Sequence, residues 1–266
     1  MYLIDDVCRE LDFVDNTDQI HIHRLRVDIK KLRAWTRLIQ DMPGVGNLKD
    51  TDKYLRNIAQ QFSYTRDLEI IPETIDWLKR KAKRKDETEA LNKISQHIQY
   101  QEFPPPLNQD CLISIDRDFF SGLRQKSIKV DIHKIIKAGL KNTDKKTMQH
   151  GKKALSEKGT LKDLHRLRKW VKFLYYQIGF IQASFPCYCQ NEHRLLDKLG
   201  KQLGRIHDLD VLRRNLEKLE NECDCADAVR TTNKLIEKRI KKLQKRSKVV
   251  FRKVFVHPRE YLMTAK

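Results

Sequence analysis

The stretch Ile20–Arg33 reads IHIHRLRVDIKKLR. Placed on an α-helix, His23, Arg26, Lys30 and Arg33 fall at 0, +3, +7 and +10, within one narrow arc of the surface. Ile22, Leu25, Ile29 and Leu32 form an apolar stripe directly beside them. Such a helix buries the stripe and carries a row of cations along one flank of the seam. Asp163–Tyr176, DLHRLRKWVKFLYY, repeats the arrangement, with His165, Arg168 and Lys172 in a row and Leu164, Leu167, Val171 and Leu174 beside it. His23 and His165 stand 142 residues apart, which reads as an internal duplication.

Outward from these rows the chain reads as helices separated by breaks. Tyr2–Val14 is amphipathic at helical spacing, and Asn16, Thr17 and Asp18 offer caps for the first row helix, which is expected to run to about Gln40 and stop at Pro43, Gly44 and Gly46. Asp50 or Thr51 caps a second helix that buries Leu55, Ile58, Ala59 and Phe62 and reaches Arg66-Asp67 one turn later. A third helical stretch covers residues 75–98 and contains the basic run Lys79–Lys85. The prolines of Phe103–Pro106 end it, because proline lacks the amide donor and restricts the residue before it. Residues 116–140 and 145–158 read as helical, Gly159-Thr160 as a break, and the second row helix continues through Ile181 to Pro186. Leu195, Leu196, Leu199 and Leu203 then lead to His207-Asp208, 141 residues after Arg66-Asp67, and residues 227–255 form a last basic helix. No stretch reads as a strand. The expectation is an all-α fold of two pseudo-symmetric helical-bundle repeats, residues 1–141 and 142–266, making one domain over 1–266. The two rows then face each other across a central basic cleft or tunnel.

The composition favours a polyanionic partner. Of 266 residues, 39% are apolar and 34% charged, and 55 Lys and Arg against 36 Asp and Glu give a net charge of +19. No run approaches the roughly 18 to 20 apolar residues of a membrane span, and the amino terminus lacks the pattern of a signal peptide, so a cytoplasmic protein that does not insert in membranes is expected. Six cysteines, at 8, 111, 187, 189, 223 and 225, are too sparse for a disulfide scaffold and are expected reduced. Cys187-x-Cys189, near His193, and Cys223-x-Cys225 have one intervening residue where zinc sites use about two to four, so no metal site and no cofactor are expected. Trp35, Trp77 and Trp170 sit in helical stretches and read as packing groups.

Like charges at i,i+3 and i,i+4 cost a helix a few tenths of a kcal/mol per pair. A row kept in register with an apolar seam in both halves, at that cost, points to a dedicated anion site. Arg offers a planar fork for two phosphate oxygens, Lys a mobile point charge, and a protonated His two directional N–H groups. No carboxylate lies on the first row, so no catalytic acid–base pair is placed there, and Asp67 and Asp208 read as groups that orient a neighbouring cation.

HRLRVDIKKLR and LHRLRKWVKFLYY resemble the two signature helices of the CHAD family, the conserved-histidine α-helical domains, and LGRIHDLDVL resembles the helix that follows. The resemblance spans nearly the whole chain. It implies a helical double repeat that binds inorganic polyphosphate in its basic cleft without catalysis. The ligand-facing positions it implies are His23, Arg26, Lys30, Lys31, Arg33 and Arg66, then His165, Arg168, Lys169, Lys172 and Arg239. Tyr175 stands where the family usually has Arg, so the second row is the poorer in cations and the first is expected to dominate binding. Many members accompany a triphosphate-tunnel enzyme domain, whose E-x-E-x-K strand is absent here, which implies a stand-alone binding module. Association with polyphosphate granules and with a polyphosphate-metabolising enzyme follows as an expectation. Nonspecific binding of nucleic acid at low salt is the alternative reading, and a phosphate-polymer-processing enzyme the third.

Overall fold

The structure is a computed structural model and describes residues 2–14, 19–41, 48–61, 63–100, 119–120, 122, 135–219 and 225–255. Among the described residues the chain forms α1 (Tyr2–Val14), α2 (Gln19–Ile39), α3 (Lys49–Gln61), α4 (Ser63–Lys79), α5 (Lys85–Tyr100), a π-helical segment (Ile135–Leu140), α6 (Lys141–Ala154), α7 (Leu161–Gln182), α8 (Gln190–Leu219) and α9 (Ala226–Phe255). No strand occurs among these residues. The fold class is therefore all-α, as the apolar periodicities imply.

Both row helices bury the stripes expected of them. Ile22, Leu25, Ile29 and Leu32 on α2 are buried in a cluster with Val7 and Leu11 of α1 and Leu55 and Ile58 of α3. Leu164, Leu167, Val171 and Leu174 on α7 are buried in a second, larger cluster that runs through α8 and α9. The start of α7 is set by a capping box: the Thr160 hydroxyl accepts from the Asp163 amide, and the Asp163 carboxylate accepts from the Thr160 amide, both at 3.2 Å. Hydrogen bonds from Thr160 and Lys153 hold the Asp163 carboxyl down at about 2.

One expected element divides. The second helix is described on either side of Phe62, as α3 and α4, and Phe62 itself lies outside the described residues. The stretch 75–98 is two helices, because α4 ends at Lys79 and α5 begins at Lys85. The basic run therefore turns a corner instead of stacking like charges along a helix. Glu87 fixes that corner by accepting from the amides of Lys83 and Arg84, at 2.8 and 3.4 Å. Of the stretch 116–140, only residues 119–120, 122 and the π-helical segment are described. Phe103–Pro106 and the caps and stops at residues 16–18 and 43–46 lie outside the described residues.

Neighbours in sequence pack in order: α1 on α2, α2 on α3, α3 on α4, α4 on α5, then α6 on α7, α7 on α8 and α8 on α9. Three longer-range contacts join the chain's beginning to its end, α2 with α7, α4 with α8 and α5 with α9. At the α2–α7 crossing the Gln177 side chain donates to the Ala34 carbonyl at 3.1 Å, and Trp35 meets Phe180 edge-on at 5.6 Å. Gly139 lets the π-helical segment close on α2, since a Cβ there would sit 1.9 Å from the Leu38 carbonyl oxygen.

Candidate anion-binding site

On α2 the row runs from exposed His23 through buried Arg26 and half-buried Lys30 to Arg33, which is only 7% exposed. It then continues one turn further to Arg37, at +14 from His23, a position the sequence reading missed although the spacing is the same. Asp52 of α3 takes both guanidiniums: Arg33 Nε donates to Oδ1 at 3.0 Å, Arg37 Nε to the same oxygen at 3.2 Å, and Arg37 Nη2 to Oδ2. Burial works against the charged Asp52 carboxylate, and the hydrogen bonds from Arg33 and Arg37 outweigh it, so its pKa lies below the usual range. Arg33 is lowered by burial, with Asp52 opposing. Arg37 also lies over Phe173 and Trp170 of α7, at 4.9 and 5.5 Å, and Arg33 over Phe173 at 5.7 Å. Lys31, off the row, pairs with Asp28 at 2.7 Å.

The two row helices bring cations together at Lys169. Its ammonium is 5.8 Å from the Phe173 ring, and its pKa is lowered by burial, then by Arg33 and Arg37. Phe173 thus has cations from both row helices against it.

On α7, Arg168 and Lys172 line a cavity of about 970 Å³. From α8 come Arg194, Lys198, Lys201 and Arg205, with Trp77 from α4 and Leu243 from α9. The four α8 cations fall at 0, +4, +7 and +11, a third row with the same kind of spacing, which is the signal that could have found them in the sequence. Gly200 and Gly204 lie beside the α7 side chains: Cβ atoms there would stand 3.4 Å from Lys172 Cε and 3.7 Å from Arg168 Nε, both ordinary contacts. The lining carboxylates each have a cation beside them, Asp197 with Lys201 at 2.6 Å and Asp208 with Arg205 at 3.9 Å. Tyr175 lies under the Lys172 ammonium at 5.1 Å and stacks on His193 with ring centroids 4.3 Å apart.

A second cavity of about 540 Å³ adjoins the first at Arg168 and contains His165, Lys162, Lys169, His207, Asp210 and Arg214. Asp210 holds the histidine: His165 Nε2 donates to its Oδ2 at 3.0 Å, and Arg213 and Arg214 flank it at 3.0 and 3.5 Å. Burial lowers the His165 pKa; the Asp210 hydrogen bond opposes this and His207, edge-on at 5.0 Å, adds to it. Arg66 belongs to α4, but its side chain and that of Asp67 lie outside the described residues. Arg239 reaches from α9 to the Lys81 carbonyl at the corner after α4, away from both cavities.

A family model described as the CHAD domain matches residues 4–217, from α1 to the end of α8. The chain belongs to the CHAD domain family. A crystal structure of the CHAD domain from the plant Ricinus communis superposes with a TM-score of 0.63 at 15% identity, covering 97% of this chain and 89% of that one. At that identity the likeness concerns the fold. Compared with curated proteins, the chain matches none. No helix among the described residues of this CHAD protein is long and apolar enough to cross a membrane. Among the described residues Cys8, Cys187, Cys189 and Cys225 form no disulfide with one another, and no group of three or more His, Cys, Asp or Glu could hold a metal ion. Cys111 and Cys223 lie outside them.

Proposed function

We propose that this CHAD domain binds inorganic polyphosphate without processing it, within a family associated with polyphosphate and triphosphate binding. The observation that carries the reading is the meeting of two helical rows, from α7 and α8, on one cavity. Six cations line it against two carboxylates, and both carboxylates already face a lysine or arginine. A phosphate polymer presents a charge on nearly every unit, and forked guanidiniums interleaved with mobile ammoniums match that repeat. The ligand-facing set is Arg168, Lys172 and Lys169 with the α8 row, joined by His165 and by His23, Arg26 and Lys30 of α2.

The reading includes a duplicated architecture. The contacts of α2 with α7 and of α5 with α9 pair elements that start 142 and 141 residues apart, Gln19 with Leu161 and Lys85 with Ala226, and α3 and α8 also start 141 apart, at Lys49 and Gln190. Residues 1–141 and 142–266 then form two repeats of one domain whose rows flank a shared basic cleft. A cytoplasmic protein attached to polyphosphate granules, or partnered with a polyphosphate-metabolising enzyme, is the cellular role that fits such a binder.

A titration with polyphosphates of defined length, competed with single-stranded DNA at equal phosphate concentration, tests the proposal. Polyphosphate is expected to displace the DNA, and its affinity to rise with length until the cavities are filled. DNA that wins the competition would leave only the general attraction of a +19 protein for polyanions.

A further inference from the structure

The cavity holding Arg168 and Lys172 has a wall for which a chain of phosphates has no use. Trp77, Leu195 and Leu243 line it together with the cations. Trp77 and Leu195 are partly buried and packed against the main core. The Arg205 guanidinium lies 5.0 Å from the Trp77 ring centroid, with Nη1 3.9 Å from Asp208 Oδ2. Indole on one side and carboxylate at the edge hold the guanidinium in place, while its side chain remains 31% exposed. A guanidinium plane fixed in this way is a stacking surface for a heteroaromatic ring. Gln202 adds a neutral carboxamide to the lining, oriented by the hydrogen bond its Oε1 accepts from Ser247 Oγ at 3.2 Å. The volume, about 970 Å³, is that of a small-molecule site.

We propose that this cavity takes a nucleoside polyphosphate, its base stacked on Arg205 above Trp77 and its phosphates held by Arg168, Lys172, Lys198 and Lys201. The phosphate half of the proposal rests on the polyphosphate reading above; the base half stands on the aromatic and apolar wall. An inorganic polymer has neither a π face nor an apolar surface, so it leaves Trp77, Leu195 and Leu243 without a ligand group to meet.

Calorimetric titrations of the full chain, without divalent cations, compare ATP, inorganic tripolyphosphate and long-chain polyphosphate. ATP is expected to bind about tenfold more tightly than tripolyphosphate although it carries no more negative charge, the gain being base stacking. Arg205→Lys keeps the charge and removes the plane. It should weaken ATP about tenfold more than it weakens tripolyphosphate, bringing the two affinities to about parity. Trp77→Leu, which retains an apolar side chain against the core, should have the same selective effect. Tripolyphosphate binding as tightly as ATP, or an ATP preference that survives Arg205→Lys, overturns the nucleoside proposal. Either result leaves the polyphosphate reading standing if the long chain binds. Failure of the long chain to bind removes that reading instead, and an ATP preference that depends on Arg205 would still support the nucleoside site.

Discussion

On α2 the guanidiniums of Arg33 and Arg37 close on Asp52 and lie against aromatic rings of α7, whereas on α7 Arg168 and Lys172 reach a cavity that α8 fills with further cations. The same spacing thus does different work in the two halves. By charge count the α2 row is the richer, since Arg33 corresponds to Tyr175. Yet Arg33 is buried and has given its Nε–H to a carboxylate, so it acts as a fastener of α2 to α3 and α7 more than as a ligand group. A cation's contribution to a polyanion site depends on what already holds it.

The largest expected effect breaks the fastener. Asp52→Ala strands buried Arg33 and its neighbour Arg37 and should cost about 3 kcal/mol of stability in urea denaturation. A loss below about 0.5 kcal/mol would make the two rows equivalent after all. Because the Asp52 pKa is depressed, its stabilisation is present above the unfolded value near pH 4 and is lost as pH falls toward the folded one. Asp52→Asn should flatten that part of the acid-unfolding curve.

Next comes the open row. Lys172→Ala with Lys198→Ala should weaken polyphosphate binding about a hundredfold, roughly tenfold per charged hydrogen bond removed. Lys30→Ala with Lys31→Ala on α2 should cost about tenfold or less, since Lys31 is already paired with Asp28. Equal losses in a binding titration would restore the ranking by charge count.

Gly204→Ala sharpens the contrast with a small signed effect. Its new methyl would lie 3.7 Å from Arg168 Nε, an ordinary contact, so the gain in helix propensity should raise stability by about 0.8 kcal/mol in thermal melts. Smallest is a pH effect on α7. With its pKa lowered, His165 stays neutral in the native state while the unfolded chain takes up a proton near pH 6.5, so the free protein loses stability as pH falls through that value. A bound polyanion reverses the preference, and affinity should rise about two- to threefold from pH 8 to pH 6. His165→Gln should make that rise shallower.

The helices and their buried faces were legible because burial follows the 3.6-residue period: each of the eight stripe residues on α2 and α7 is buried. What the period does not carry was missed. Asp208, read as orienting a neighbouring cation, lies beside Arg205, but only the packing of α7 on α8 brings Asp210, two residues on and about 200° around α8, to His165. The division between α4 and α5 depends on Glu87, on buried Leu78 and on Arg239 arriving from the far end of the chain. Asp52 became the partner of Arg33 through a contact between helices, which no spacing along α2 encodes. Arg37 and the α8 row, by contrast, were visible as continuations of a known spacing.

The family match ends at residue 217, but α9 sends Leu235, Ile236, Ile240, Val250 and Phe251 into the core and Arg239 onto the Lys81 carbonyl. Thirty residues long, it spans about 45 Å as a helical lid along α5 and α8. A fragment trimmed to the matched residues would uncover a greasy trench of that length. It would behave as a self-associating species, and not as a smaller edition of the same binder.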